Sequence, residues 1–225
     1  MKVLAINGSP RMSEGNTAMI LNPFLESMRE AGAEVELLYA RRLSVGPCNG
    51  DMSCWFETPG ECCQRDDMQV LYPKLREADI IVLATPLYYS GVTGLLKNLM
   101  DRMLPVHVFS RRRQRVILVS TCGDWSIRAF DPLLAQMRAA YSMPETGPEY
   151  LCALLRPAAE AMRHMAGQRS PLDDVLAAAR EAGRQVIMEG RISEDLLGRV
   201  SQEIVSEEEY NRAAKEMMER IKKGA

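Results

Sequence analysis

A short apolar run, Val3 to Ile6, stops at Asn7-Gly8-Ser9-Pro10, and an amide- and hydroxyl-rich loop leads into a helical pattern that opens at Thr17. Residue types in this order make an anion site. A strand ending in a small-residue loop under a helix N-terminus leaves backbone N–H groups unpaired, and the positive end of the helix dipole points the same way. Ser9, Ser13, Asn16 and Thr17 add side-chain donors, and Arg11 adds a full positive charge. The expected anion is a phosphate. A plain strand-to-helix turn would use similar residues, because Ser, Thr and Asn are favoured N-caps in any protein.

The spacing narrows the phosphate ligand. A P-loop ends in Gly-Lys-Ser/Thr, and no Lys occurs between Lys2 and Lys74. The dinucleotide fingerprint needs three glycines at G-x-G-x-x-G spacing, but only Gly8 and Gly15 are present. Hydroxyls and an amide in place of glycines suit a terminal monophosphate wrapped from all sides, which points to FMN. A second candidate loop follows the apolar run that ends near Thr85: Pro86 and Gly91 bracket Leu87-Tyr88-Tyr89-Ser90. Aromatic and apolar groups there can flank a flavin ring, while loop N–H groups bond its N5 and O4 edge. Ordinary strand-end aromatics are the alternative. A third loop, Thr121-Cys122-Gly123-Asp124-Trp125, would reach the pyrimidine side of the ring, with Gly123 giving close backbone access and Cys122 read as a small buried thiol. His107 and His164 fall outside these loops and are expected to be structural or surface residues.

Elements that could position the three loops are legible as alternation. Strand-like runs near 2–7, 34–40, 79–85, 115–121 and 149–155 are separated by helical patterns near 17–32, 66–77, 94–104 and 127–142, with 171–189 after the fifth strand. Near-continuous Val/Ile/Leu strands imply a parallel sheet buried on both faces. Five strands and five helices predict a flavodoxin-like α/β sandwich, a sheet of order 2-1-3-4-5 with helices on both faces. Its switch point lies between strands one and three. Residues 1–190 would form this domain, with an aperiodic, cysteine-bearing insertion at 44–65. Residues 191–225 would be a helical extension, with a short helix after Ser193 and a charged amphipathic helix near 206–222, of the kind that packs on a partner subunit.

Composition sets limits on partners. With 225 residues and a net charge of −2, the chain gives no reason to expect nucleic acid or an anionic membrane as a partner. The basic cluster Arg111-Arg112-Arg113 with Arg115 reads as a solvated loop. No apolar run approaches the ~20 residues of a membrane span, and no signal peptide is visible. The expected compartment is the cytoplasm, where six cysteines argue for metal, redox or buried thiols rather than a disulfide framework. Most of the fifteen methionines are expected in the core or at subunit interfaces.

GSPRMSEGNTA, the cysteine segment before Asp66-Asp67-Met68, ATPLYYSGVTGLLKNLMDR, AAREAGRQVIMEGRIS and the later ISEDLL…EEEYN stretch together resemble the NAD(P)H-dependent FMN reductase and iron–sulfur flavoprotein family of the flavodoxin-like superfamily. The resemblance covers nearly the whole chain. It implies non-covalent FMN, with Ser9, Arg11, Asn16 and Thr17 around the phosphate and Pro86, Leu87, Tyr88, Tyr89 and Ser90 along the ring. It also implies a homodimer or homotetramer with flavins near subunit interfaces. The expected activity is transfer of electrons from NAD(P)H, through FMN, to a quinone, free flavin, other small acceptor or redox protein. The alternatives are an electron carrier with a 4Fe–4S cluster and a non-catalytic flavin-binding module.

Iron–sulfur members of this family carry C-x2-C-x2-C-x4–7-C. Here the segment reads Cys48, Asp51, Cys54, Cys62, with Asp51 at the second cysteine position and Cys63 adjacent to the last. Four thiolates are the usual complement of such a cluster, and a carboxylate oxygen is a harder ligand. Three readings follow. The loop is degenerate and holds no cluster; or Cys48, Cys54 and Cys62 bind one with Asp51 or Cys63 as the fourth ligand; or the thiols form a zinc site or a redox pair. In the first case Trp55 and Phe56 could still wall the flavin pocket.

Overall fold

In a computed structural model describing residues 1–107, 113–142, 147–165 and 170–224, the five apolar runs form strands. They are β1 (Lys2–Asn7), β2 (Glu34–Tyr39), β3 (Ile80–Pro86), β4 (Arg115–Thr121) and β5 (Glu149–Arg156). They pair in parallel in the order β2-β1-β3-β4-β5, the flavodoxin-like arrangement that alternation predicts. Side chains alternate between two cores, as a period of two requires. Val3, Ala5, Val82, Ile117, Val119 and Leu154 face one layer; Leu4, Ile6, Leu83, Val116, Leu118 and Leu155 face the other. The β4–β5 register shifts once, at Val116/Ile117, which pair with Tyr150 and Cys152 and leave Leu151 as the extra residue.

The helices are α1 (Asn16–Glu30), α2 (Ser53–Phe56), α3 (Met68–Glu77), α4 (Gly94–Asp101), α5 (Leu104–His107), α6 (Asp131–Ala140), α7 (Ala161–Met165), α8 (Pro171–Glu189), α9 (Glu194–Ser201) and α10 (Glu207–Lys222). The first layer is α1 with α8, the second α3, α4 and α6. Gly183 of α8 sits against the Phe24 carbonyl of α1, so close that a Cβ there would overlap it. Two expected helices divide. The 94–104 pattern breaks at Arg102, where α4 ends before the Pro105-containing α5, since proline supplies no N–H to continue the ladder. The 127–142 pattern opens as a 3-10 turn, Ile127–Phe130, and becomes α-helical at Asp131, where Pro132 takes a first-turn position.

Arg115 opens β4, as the 115–121 run predicts, so of the basic cluster it is set apart from the loop: its Nη1 donates to the Gly190 carbonyl at 2.7 Å, closing the end of α8. Arg113 is exposed and pairs with Glu149 at 3.1 Å, while Arg111 and Arg112 lie outside the described residues. Among the methionines, Met28, Met68, Met103, Met137 and Met162 are core residues, whereas Met188, Met217 and Met218 are exposed. Beyond residue 190, α9 buries Leu196 and Val200 in the α1/α8 layer. In contrast, α10 buries nothing. Local signals hold it: a Ser206/Glu209 capping box, Glu207 to Glu209 in the first turn, and Arg220 and Lys222 in the last. No helix among the described residues is long and apolar enough to cross a membrane.

Candidate functional site

Three loops meet at the C-terminal ends of β1, β3 and β4, and hydrogen bonds between them fix their relation. The Gly8 N–H donates to the Ala84 carbonyl at 2.7 Å, joining β1 to β3. Thr93 Oγ1 donates to the Gly8 carbonyl at 2.7 Å and caps α4 through the Leu96 N–H. The Leu87 N–H donates to the Thr121 carbonyl at 2.8 Å, joining the second loop to the third. The Thr17 and Thr121 hydroxyls bond each other at 2.8 Å, tying the start of α1 to the end of β4.

The first loop is built from its own polar groups. Asn7 Oδ1 accepts the Ser9 N–H at 2.8 Å, and the Ser9 carbonyl accepts the Met12 N–H at 3.0 Å. Met12 then turns left-handed (φ 48°) into a 3-10 turn, Met12–Glu14. Ser9, Asn16 and Thr17 are buried, while Arg11 and Ser13 are exposed and Ser13 Oγ donates to Glu14 at 3.3 Å. Gly15 leaves this curl open, because a Cβ would stand 2.6 Å from Ser9 Oγ and force it to shift. Arg163 of α7 completes the loop. Its Nε donates to Asn16 Oδ1 at 2.6 Å and its Nη2 donates to the Glu14 carbonyl. No local motif marks this residue, which lies 147 positions downstream of Asn16. Its position follows from tertiary packing, since Met162 of α7 shares one core with α1 and α8.

The second loop is a tight turn. Tyr88 and Gly91 exchange both backbone hydrogen bonds at 3.0 Å, with Tyr89 (φ 47°) and Ser90 (φ 60°) both left-handed, the pattern of a type I′ turn. Each non-glycine residue held this way costs about 1 kcal/mol or more. The turn presents Tyr89, fully exposed, with Tyr88 and Ser90 also exposed and Pro86 and Leu87 half-buried.

In the third loop Thr121 is buried and Gly123 exposed, and a Cβ on Gly123 would meet nothing within 4 Å. Cys122 is 6% exposed, and burial pushes its thiol up to about 11, so it is a neutral packing residue at pH 7. The loop hangs on β5 through the Cys122 N–H, which donates to the Arg156 carbonyl at 3.0 Å. Buried Arg156 in turn donates to the Val200 and Gln202 carbonyls at 3.0 and 2.7 Å, clamping the end of α9 to β5. Burial pulls its pKa down to about 10, which leaves it charged at neutral pH. His164 is exposed on α7, and the His107 side chain lies outside the described residues.

The cysteine segment lines a cavity of its own. Cys48, Asp51, Cys54 and Cys62 line one cavity of about 30 Å³ together with Arg102. Arg102 is 1% exposed; it pairs with Asp66 at 2.7 Å, and its Nη1 donates to the Gly46 carbonyl at 2.8 Å. Its Nη2 donates to Cys62 Sγ at 3.4 Å, and its Nε has no partner. Burial works against its charge, but Asp66 and Cys62 outweigh that and hold the guanidinium above its ordinary value. Asp51 Oδ1 accepts the Ser53 N–H at 2.9 Å and Ser53 Oγ at 2.7 Å. Cys63 is exposed and donates to Asp51 Oδ2 at 3.5 Å. Trp55 is half-buried with Nε1 unpartnered, and Phe56 is exposed. Among the described residues, no three His, Cys, Asp or Glu side chains converge closely enough to hold a single metal ion.

A model of the NADPH-dependent FMN reductase family matches residues 1–148. An iron–sulfur flavoprotein of Archaeoglobus fulgidus is 40% identical over 102 residues, covering 45% of this chain and 48% of that protein. An iron–sulfur flavoprotein of Methanocaldococcus jannaschii is 39% identical over 116 residues, covering 52% of this chain and 58% of its own. The matches thus span about half the length of these relatives. In fold, an NAD(P)H:quinone oxidoreductase from Methanothermobacter marburgensis superposes with a TM-score of 0.61 at 16% identity, over 83% of this chain and 96% of that one.

Proposed function

The chain belongs to the NADPH-dependent FMN reductase family, and from that premise we propose that it is an FMN-dependent oxidoreductase that takes electrons from NAD(P)H and passes them to a quinone, free flavin or other small acceptor. The observation that carries this reading is the convergence of the three loops at the switch point, cross-linked by the Gly8–Ala84, Leu87–Thr121 and Thr17–Thr121 bonds. The residues fit the cofactor. The Gly15 cradle brings Ser9, Asn16 and the N-terminus of α1 into one curl, a donor set suited to a terminal phosphate.

Ser9, Arg11, Ser13, Asn16 and Thr17 would hold the phosphate, with Arg163 fixing the Asn16 amide. Pro86, Leu87, Tyr88, Tyr89 and Ser90 would lie along the ring, and Thr121 and Gly123 would face its pyrimidine side. FMN, when bound, supplies the capacity to accept a hydride from NAD(P)H and to release the electrons to an acceptor. The chain's own work is orientation and exclusion. The left-handed Tyr89-Ser90 turn aims backbone donors and an aromatic face, and the open slot at Gly123 leaves room for close approach. Steady-state oxidation of NADH or NADPH with a quinone or free flavin tests the reading. Turnover with either supports it and excludes a storage module; flavin-loaded protein inert with both donors and both acceptor classes overturns it.

A second reading, an iron–sulfur electron carrier, is favoured by the gathering of Cys48, Cys54 and Cys62 around one cavity beside a buried cation. Thiolates are the donors such clusters select, and Arg102 offsets their negative charge. Iron and acid-labile sulfide are assayed on anaerobically purified protein, and less than about one iron per chain argues against it. We also propose residues 191–225 as the source of contacts between copies of this chain, with α10 as the contacting helix.

A further inference from the structure

We propose that α10 pairs with α10 of a second copy of this chain, antiparallel, along the stripe Tyr210, Ala214, Met217 and Ile221. The pairing rests on the proposal above that α10 contacts another copy. It adds the surface that is met and the direction in which it is met.

The stripe repeats at intervals of four, three and four residues, the seam spacing of paired helices, with Met218 beside it. Its start is anchored. Tyr210 is half-buried against the third loop, where burial first and then Asp124 raise its phenol, and Trp125 Nε1 donates to the Val205 carbonyl at 3.3 Å just before the helix. Beyond that root the stripe has no cover among the described residues. Every residue in 211–224 is exposed, Met217 at 61% and Ile221 at 57%. A lone helix of this length is marginal in water, so a partner that covers the stripe stabilises it. Methionines supply the adaptable apolar surface such a contact uses.

Charge selects the partner. Glu207, Glu208 and Glu209 fill the first turn, and Arg220 and Lys222 stand in the last. The helix dipole accounts for these ends but not for the apolar stripe between them. Laid antiparallel, each acidic turn meets a basic turn and the stripe maps onto itself, Ala214 opposite Met217 and Tyr210 opposite Ile221. Laid parallel, like charges meet. Exposed charges of this kind set direction more than affinity. With five glutamates against four basic residues, α10 lacks the cationic face that an anionic membrane selects. Because each first turn is rooted on its own third loop, the pair brings the last turn of one helix beside the third loop of the other copy, at the border of the candidate FMN site.

The test uses the full chain and light scattering. One variant carries Glu207→Lys and Glu208→Lys and keeps Glu209 in the capping box. A second carries Arg220→Glu and Lys222→Glu, and a third carries all four changes. An isologous contact joins copies two by two, so each of the first two variants is expected to fall to about half the wild-type mass. Mixing them in equal amounts restores it, because every helix end then meets its opposite; recovery also shows that neither has lost the helix. The third variant keeps the wild-type mass alone and forms no mixed species with tagged wild type. Unchanged mass in the first two, no recovery on mixing, or mixed species between the third variant and wild type overturns the inference. If removal of residues 206–225 still lowers the mass, α10 remains the contacting helix but meets another surface or direction. Unchanged mass after that removal overturns both.

Discussion

A methyl group at position 15 would stand 2.6 Å from Ser9 Oγ, inside the curl assigned to the FMN phosphate. Gly15→Ala is therefore expected to weaken FMN binding at least tenfold without unfolding the chain, measured by fluorescence titration of apoprotein. Arg163 makes a different prediction. Its bond to Asn16 orders the phosphate loop, and a hydrogen bond to a charged group contributes roughly 1.5–3 kcal/mol, less where solvent reaches it as it does here. Arg163→Met is expected to weaken FMN about tenfold and to leave riboflavin, which lacks the phosphate, nearly unaffected; equal losses for both ligands would contradict this. The two residues differ in legibility. Gly15 stands in a local strand–loop–helix pattern, whereas Arg163 reaches Asn16 only through the packing of Met162 in the α1/α8 core, which no local spacing encodes. Tyr89 and Ser90 were legible as loop residues, but their left-handed backbone was not, because neither is a residue type that signals it.

Among the elements, strand order and layer assignment were readable because buried parallel strands give near-continuous apolar runs. Helix limits inside 94–104 and 127–142 were not, since apolar periodicity continues through the breaks at Arg102 and Phe130 while Pro105 and Pro132 set the helix starts. The α1–α8 contact depends on Gly183. Gly183→Ala would drive a Cβ into the Phe24 carbonyl and is expected to cost about 2–3 kcal/mol in urea unfolding. The cysteine segment is anchored by Asp66 and Arg102. Burial opposes the Asp66 charge, but the Arg102 ion pair and the Gly46 and Met68 N–H bonds together outweigh it and hold the carboxyl below its ordinary 3.8. A depressed pKa means the stabilisation is fully present above 3.8 and is lost as pH falls through the lower folded value. Trp55 fluorescence is expected to hold steady down to about pH 4 and to change below it. A change centred near neutrality would contradict the assignment.

At the scale of the molecule, α9 and α10 behave differently. The first is clamped to β5 by Arg156 and shares the core; the second buries no residue and leaves Met217, Met218 and Ile221 exposed along it. Removing residues 206–225 is expected to leave the melting temperature nearly unchanged and to lower the mass seen by light scattering to that of a smaller oligomer. An unchanged mass would assign the contacts elsewhere. The cysteine segment lines a cavity apart from the cross-linked loops, so FMN content and iron content are expected to respond to different substitutions. The most direct measurement is the absorbance spectrum of anaerobic, FMN-loaded protein before and after NADPH or NADH. Bleaching of the flavin band by at least one nucleotide is the predicted result. A flavin band untouched by both nucleotides but bleached by dithionite would contradict the assignment of this chain as an NAD(P)H-dependent reductase.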